Sequence, residues 1–213
     1  MPRRAKEEAE KTRARILASA LSLFVKKGYE HTTFTDIAAR LGMTKGAVYW
    51  HFDSKEKLLA TLVGEMLDKF GRQITELKPK DELTFPAVAE MMVRNAGQIT
   101  ADPKGTAFFL LMHEQIRWAS ASMEKVRNQL MTDRRFGPLE AFRTAVANDV
   151  AAGRIRADVD PERVAHVCIS IWDGLVHAHI AKFMVCDLVD TMKKAFDGVW
   201  VGIRAQVFPS AKI

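Results

Sequence analysis

Apolar residues recur every three or four positions along almost the whole chain, which is the spacing of one face of an α-helix. Runs that alternate apolar and polar residues, the pattern of a half-buried strand, are missing from the sequence. The pattern therefore predicts an all-α protein of about nine helices. The predicted ranges are 7–27, 34–41, 45–52, 55–77, 86–101, 104–119, 122–152, 161–184 and 188–207.

Capping residues mark the ends of the first predicted helices. Thr33 precedes the second helix and Asp36 follows three residues later, which is the spacing of a capping box. Thr44 and Ser54 stand in capping positions before the third and fourth helices, and Gly42 ends the second. Helices two and three are short and are joined by about three residues that include a glycine, so we predict a helix-turn-helix.

Charge is distributed unevenly along the 213 residues, whose net charge is +6. Residues 1–58 hold 12 Lys/Arg and 7 Asp/Glu, a net of +5, whereas residues 59–213 hold 20 and 19, a net of +1. Concentrated positive charge suggests a polyanionic partner, either nucleic acid or an acidic membrane surface, although a solvated basic tail would look the same. A membrane surface is disfavoured because the first helix interleaves glutamates with its basic residues and needs its apolar stripe for the core.

Other features bear on location and chemistry. Cys168 and Cys186 are too few and too far apart for a disulfide framework, and their apolar surroundings predict buried thiols in a reducing cytoplasm. The sequence has no apolar stretch long enough for a membrane span, and its charged first residues do not resemble a secretory signal. We expect no metal and no cofactor, because closely spaced His and Cys residues lie two apart rather than three or four and no phosphate-binding glycine loop is present. No nucleophile elbow or paired acid and base residues suggest an enzyme.

The third predicted helix divides into an inner and an outer side. Val48 and Phe52 fall on the side that faces helix two, whereas Gly46, Ala47 and Trp50 point away from it. A glycine at the start of such a helix lets the backbone approach a base edge, and free N–H groups there favour phosphate. Packing of the rings against helix four is the competing interpretation. The candidate DNA-binding residues are Thr33, Thr35, Thr44, Lys45, Gly46, Ala47, Tyr49, Trp50, His51 and Lys55.

The segment "TTFTDIAARLGMTKGAVYWHFDSKEKLL" (32–59) closely resembles the helix-turn-helix signature of the tetracycline-repressor (TetR) family. The preceding "ILASALSLFVKKGYEHTT" (16–33) is similar to the first helix of that family, and "SIWDGL" (170–175) is loosely similar to its multidrug-efflux repressors. The matching residues in the signature are Thr33, Ile37, Ala38, Gly42, Thr44, Gly46, Tyr49, His51, Phe52, Lys55 and Leu58.

The resemblance implies a homodimeric transcriptional regulator, most often a repressor, that binds a palindromic double-stranded operator and is released by a small hydrophobic or aromatic ligand. It implies a DNA-binding domain in residues 1–55 and a ligand-binding and dimerisation domain in residues 56–213. Control of an efflux system would fit the looser likeness. The alternative is a helical small-molecule carrier or enzyme with an incidental basic N-terminal head.

The C-terminal half contains many methionine and aromatic side chains with a few polar groups, which suits a promiscuous ligand pocket but is also typical of plain core. The last two predicted helices carry wide apolar stripes, which predicts half of a four-helix dimer interface or closure of the monomer core. The candidate ligand residues are Met91, Asn95, Phe109, Met112, His113, Ile116, Trp172 and Val176, and the candidate interface residues are Gly174, Met192, Phe196, Trp200 and Ile203.

Overall fold

The computed structural model describes residues 2–77, 79–132 and 137–204. Within them the chain is helical, with a single isolated β-bridge between Ile155 and Arg204, which confirms the all-α prediction. Short 3-10 turns cover Lys80–Glu82 and Ala121–Met123, and a π turn covers Leu111–Gln115. The α-helices are α1 (Pro2–Lys27), α2 (Phe34–Leu41), α3 (Lys45–His51), α4 (Lys55–Leu77), α5 (Phe85–Ala101), α6 (Pro103–Leu110), α7 (Glu124–Thr132), α8 (Pro138–Ala151), α9 (Pro161–Ile180) and α10 (Leu188–Ile203).

The ends of α2 and α3 form as the sequence predicts. The Thr33 hydroxyl accepts a hydrogen bond from the Asp36 backbone N–H at 3.2 Å, and the Asp36 carboxylate accepts one from the Thr33 N–H at 2.8 Å, which completes the capping box. Gly42 ends α2 at φ 66°, a left-handed conformation that favours glycine. The Thr44 hydroxyl then accepts from the Ala47 N–H at 3.2 Å and caps α3, which is separated from α2 by three residues.

The described residues form two compact units, one within 1–66 and 104–134 and the other within 67–103 and 135–213. In the first unit α2 packs against both α1 and α3. Val48 and Phe52 on the inner side of α3 are 0% and 2% exposed, as predicted, and Ile37 of α2 is fully buried. The predicted functional boundary at residues 55/56 stays a prediction.

In the second unit α5, α8, α9 and α10 pack against one another around a ring cluster. Phe142 lies between Phe85 and Phe196, with ring centroids 5.6 and 5.5 Å away. The fully buried Asp149 carboxylate accepts from the Phe85 backbone N–H at 2.7 Å and from Arg154 Nε at 2.6 Å. Asp149 thus satisfies an N–H group in the first turn of α5 and ties that turn to the end of α8.

Several predicted helices of the C-terminal half have different ends. The predicted helix 104–119 leaves α geometry at the π turn, and Ile116 is extended. The predicted helix 122–152 is two helices, because Pro138 begins α8 and Gly137 precedes it in an extended conformation. The predicted helix 161–184 ends early, at Ile180, before the left-handed Lys182 (φ 59°). The predicted helix 188–207 ends at Ile203. Residues 205–207 of the last prediction lie outside the described residues.

The two cysteines differ, and one prediction for them is wrong. Cys168 is buried in α9, and burial raises the pKa of its thiol to about 12, which makes it unreactive at neutral pH. Cys186 is exposed, because it lies in the turn between α9 and α10 rather than on a packed helix face.

Two further properties concern only the part of the chain that the structure describes. None of its helices combines the length and hydropathy needed to cross a bilayer. No three His, Cys, Asp or Glu side chains within it are grouped so that they could hold a metal ion.

Candidate nucleic-acid interface

Helix α3 presents its polar and aromatic side chains to solvent. Lys45 and Gly46 are exposed, Ala47 is half-buried, and Tyr49 and Trp50 are 47% and 74% exposed. Large aromatic side chains are rarely left this accessible unless something covers them, so the outer side of α3 has the character of a recognition surface.

Packing within the chain does not require a glycine at position 46. A Cβ atom built there would meet only the Thr44 hydroxyl oxygen, at 3.9 Å, which is an ordinary contact. Glycine is also a poor helix former, and so it weakens a helix of only seven residues. The missing side chain leaves the backbone at the start of α3 accessible from outside.

The rings of α3 are held by neighbours within the first unit. Tyr49 meets the buried Phe34 of α2 edge-on, with centroids 4.8 Å apart, and the Lys45 ammonium lies 5.5 Å from the centre of the Tyr49 ring. Trp50 and His51 stand perpendicular at 4.6 Å. Tyr49 thus rests on α2 while about half of its surface stays exposed, and a tyrosine hydroxyl is one of the groups that donate to phosphate.

His51 is half-buried at the end of α3. Burial, followed by the positive charge of Arg13, lowers the pKa of its imidazole below the ordinary value. A lowered pKa keeps the ring neutral at neutral pH, so it offers one N–H donor and one acceptor rather than a full charge.

Two of the predicted DNA-binding residues have structural partners within the chain, of which the sequence revealed only that of Thr33. The Lys55 ammonium donates to the backbone carbonyls of Tyr29 and Glu30 at 2.8 and 3.2 Å and lies 4.4 Å from the centre of the Tyr29 ring. Thr33 is engaged in the capping box. Both therefore position the connection from α1 to α2, and their role in binding DNA stays a prediction. Thr35 and Thr44 are exposed.

Arg13 supports the same surface but was not predicted. Its guanidinium donates to the Glu65 carboxylate at 3.0 Å and lies 5.1 Å from the centre of the Phe52 ring, so it ties α1 to α4 beside the end of α3. No local signal could have identified it, because its partners lie about 40 to 50 positions further along the chain.

The predicted ligand residues are divided between the two compact units. Phe109, Met112, His113 and Ile116 belong to the first, and Met91, Asn95, Trp172 and Val176 belong to the second. Within the first unit the rings of Phe109 and His113 stack at 4.1 Å, and within the second the Trp172 indole N–H donates to the Met92 carbonyl at 3.0 Å. Their role in binding a ligand stays a prediction.

The predicted interface residues occupy three environments. Met192 and Phe196 are 0% and 2% exposed, so they serve the core of the second unit, where a partner chain cannot reach them. Trp200 and Ile203 are half-buried, and Gly174 is exposed with no atom within 4 Å of a Cβ built there. An apolar stripe on α10 did not distinguish an inner side from an outer side.

Comparison with known proteins gives a consistent result. The family described as "Bacterial regulatory proteins, tetR family" matches residues 16–62. The HTH-type transcriptional regulator TtgR of Pseudomonas putida is 28% identical over 201 residues, which cover 92% of this chain and 93% of TtgR.

Two solved structures share the fold. One is a complex of SmeT with triclosan, with a TM-score of 0.75 and 24% identity over 94% of this chain and 96% of that one. The other is NalD, a repressor of a multidrug efflux pump in Pseudomonas aeruginosa, with a TM-score of 0.72 and 21% identity over 94% of this chain and 99% of that one.

The matched residues 16–62 contain α2, α3 and the exposed outer side of α3. The sequence signature, the geometry of the helix-turn-helix and the relatives agree on one class of DNA-binding protein. Residues 16–62 thus match the tetR family of bacterial regulatory proteins, and over nearly its whole length the chain is similar to a transcriptional regulator, TtgR.

Proposed function

We propose that this regulator is a homodimeric repressor that binds a palindromic operator and is released by a small hydrophobic or aromatic ligand. The observation that carries the proposal is the outer side of α3, where Gly46 leaves the backbone open and Tyr49 and Trp50 are exposed. Two copies of α3 would enter successive major grooves about 34–36 Å apart.

The homodimer is supported by the exposed sides of α9 and α10. Gly174, Gly198 and Gly202 are all exposed, and a Cβ atom at any of them would meet nothing within 4 Å. Val167 and Val201 are 51% and 56% exposed on the same two helices. Small residues beside exposed valines would let the helices of a second copy approach closely, as in a four-helix interface.

The ligand response is supported by the chemistry of the C-terminal half and by a structural relative. Buried methionine and aromatic side chains, such as Met91 and Phe109, can adapt to apolar ligands. SmeT, which shares the fold, was solved with triclosan. By linkage, a ligand that weakens DNA binding is itself bound more weakly by the DNA complex, by the same factor.

The first experiment is selection of DNA from random duplexes with the purified protein. We expect a palindrome whose half-sites lie about one helical turn apart, and an affinity that falls steeply with salt concentration. Gly46→Leu should enrich the palindrome much less strongly than the wild type does, whereas Ala151→Leu, on the exposed part of α8, should enrich it to the same extent. If the folded protein enriches no sequence at low salt, the chain is not an operator-binding repressor.

The oligomeric state has a separate test. Val201→Asp places a charge on the proposed interface and should convert a sedimenting dimer into a monomer. Ala152→Arg, at the exposed end of α8, is the control and should remain dimeric. A wild-type protein that sediments as a monomer at all concentrations would refute the homodimer.

The ligand response is tested with the operator once it is known. Triclosan is the probe, because a structural relative has been solved with it. We expect it to release the operator at a concentration that leaves the protein folded. Release of unrelated DNA to the same extent would instead indicate general loss of binding.

A further inference from the structure

A cleft of about 310 Å³ opens between α5 and α10, in the second compact unit. Phe85, Phe196 and Trp200 form its apolar wall, and Glu90, Lys193 and Asp197 bring charge to it. None of the eight residues predicted from the sequence to bind a ligand lines it. A volume of this size is at the lower end of the range for small-molecule sites.

The apolar wall is partly aromatic. The rings of Phe85 and Trp200 stack with an interplanar angle of 14° and centroids 5.7 Å apart. Phe85 is 1% exposed, whereas Trp200 is half-buried and lines the cleft. The indole therefore offers ring surface on which another planar ring can stack.

The charged side chains at the cleft are available to a ligand. Glu90, Lys193 and Asp197 are exposed, and none of them makes an ion pair or hydrogen bond with another described residue. By contrast, an ion pair does form elsewhere on α10, between the Lys194 ammonium and the Asp190 carboxylate, at 2.7 Å. Two carboxylates and one ammonium give the cleft a formal charge of −1, which favours a cation.

The cleft and the glycines of the proposed dimer face lie on different sides of α10. Lys193, Asp197 and Trp200 recur at helical spacing on one side, whereas Gly198 and Gly202 fall roughly opposite on the helical wheel. A second copy seated on the glycines would therefore leave the cleft open to small molecules.

We propose that this cleft binds a planar aromatic cation. The ligand's ring stacks on Trp200, its positive charge lies over the indole face and near the carboxylates of Glu90 and Asp197, and water is displaced from the apolar wall. The proposal does not depend on any response of DNA binding, because it concerns the free protein. Failure here and failure of the repressor function are therefore separate results.

The test uses three probes that share one ring system and differ in charge. These are 2-naphthylmethylammonium, neutral 2-naphthylmethanol and anionic 2-naphthoate, titrated calorimetrically into the full chain without DNA. We expect the cation to bind roughly fivefold more tightly than the alcohol, the scale of a few exposed charge contacts, and the anion to bind most weakly. Equal affinity for cation and anion would overturn the proposal.

Variants locate the site. Glu90→Gln combined with Asp197→Asn should remove the preference for the cation and leave the affinity for the alcohol unchanged. Trp200→Leu should weaken the cation and the alcohol by roughly fivefold, as expected for loss of a stacked ring. Asp190→Asn, on the same helix but outside the cleft, is the matched control and should bind all three probes as the wild type does.

The double carboxylate variant keeps the test decisive if Trp200→Leu fails to fold, because Glu90 and Asp197 are exposed. Unchanged preference for the cation in that variant would refute the site. A changed sedimentation coefficient of the same variant without any probe would assign the cleft to a contact between copies and would likewise refute the proposal.

Discussion

Helices α3 and α10 both carry aromatic side chains at helical spacing, but they hold them in opposite environments. On α3, Tyr49 and Trp50 are 47% and 74% exposed. On α10, Phe196 is 2% exposed and Trp200 stacks on Phe85. An aromatic stripe is therefore evidence of a recognition surface only when neighbouring elements leave it uncovered. On α10, packing against α5 and α9 covers most of the stripe.

The largest effect that tests this contrast is on stability. Phe196→Ala should lower the free energy of unfolding by about 3–5 kcal/mol, because the ring fills a packed cluster with Phe142 and leaves a cavity when removed. Trp50→Ala should change it by no more than about 0.5 kcal/mol, because its side chain is largely in solvent. Urea denaturation measures both, and equal losses would mean that α3 is as dependent on its rings as α10 is.

The same contrast explains which parts of the molecule the sequence predicted. Thr33, Gly42 and Thr44 act through atoms within a few residues, so their caps could be placed from the sequence alone. Asp149 reaches Phe85 across 64 positions, and no periodicity reveals such a contact. Pro138 marks the start of α8. The helix break there was nevertheless not predicted, because helical apolar spacing continues on both sides of it.

The candidate sites divide in the same way. The outer side of α3 could be predicted from a helical wheel. The helix is short, and α2 is the helix with which it makes extensive contact. The cleft at Trp200 requires α5 and α10 to be neighbours, although they are about 90 residues apart in the chain. The sequence pattern therefore did not single out Glu90 or Lys193.

Gly46→Leu sharpens the comparison by separating DNA binding from folding. A Cβ atom at position 46 makes only an ordinary contact with the Thr44 hydroxyl, and leucine favours a helix more than glycine does, so stability should stay the same or rise by up to about 1 kcal/mol. Operator binding should weaken by about 1–3 kcal/mol, the size of one lost base contact. Fluorescence anisotropy with the selected operator measures the second effect and thermal unfolding the first.

A destabilised Gly46→Leu protein would contradict the claim that the glycine serves a partner rather than the fold. The control is Gly42→Leu, which forces a left-handed φ of 66° on a branched residue. That variant should lose stability, and its loss of DNA binding should follow from the misplacement of α3. Only at Gly46 should the two properties separate.

Thr33→Ala tests how the capping box positions α2 under the recognition helix. Removal of the hydroxyl should cost about 1 kcal/mol of unfolding free energy, the usual value for a lost N-cap. Thr33→Ser keeps the oxygen and should restore most of that stability. If Thr33→Ala weakened only operator binding, Thr33 would instead be a direct contact to DNA.

The smallest expected effect concerns Asp36, the acidic residue of the same capping box. Hydrogen bonds from Lys27 and then from the hydroxyl and N–H of Thr33 hold the pKa of the Asp36 carboxyl well below its ordinary value. A group whose pKa is lower in the folded protein stabilises it above the unfolded pKa of about 4 and loses that contribution as the pH falls further. Stability of the wild type should therefore exceed that of Asp36→Asn at pH 7, and the difference should shrink below about pH 4. Since the ion pair between Asp36 and Lys27 is partly exposed, high salt should also reduce the difference in stability between the two proteins. A difference that depends on neither pH nor salt would mean that Asp36 acts through neutral hydrogen bonding.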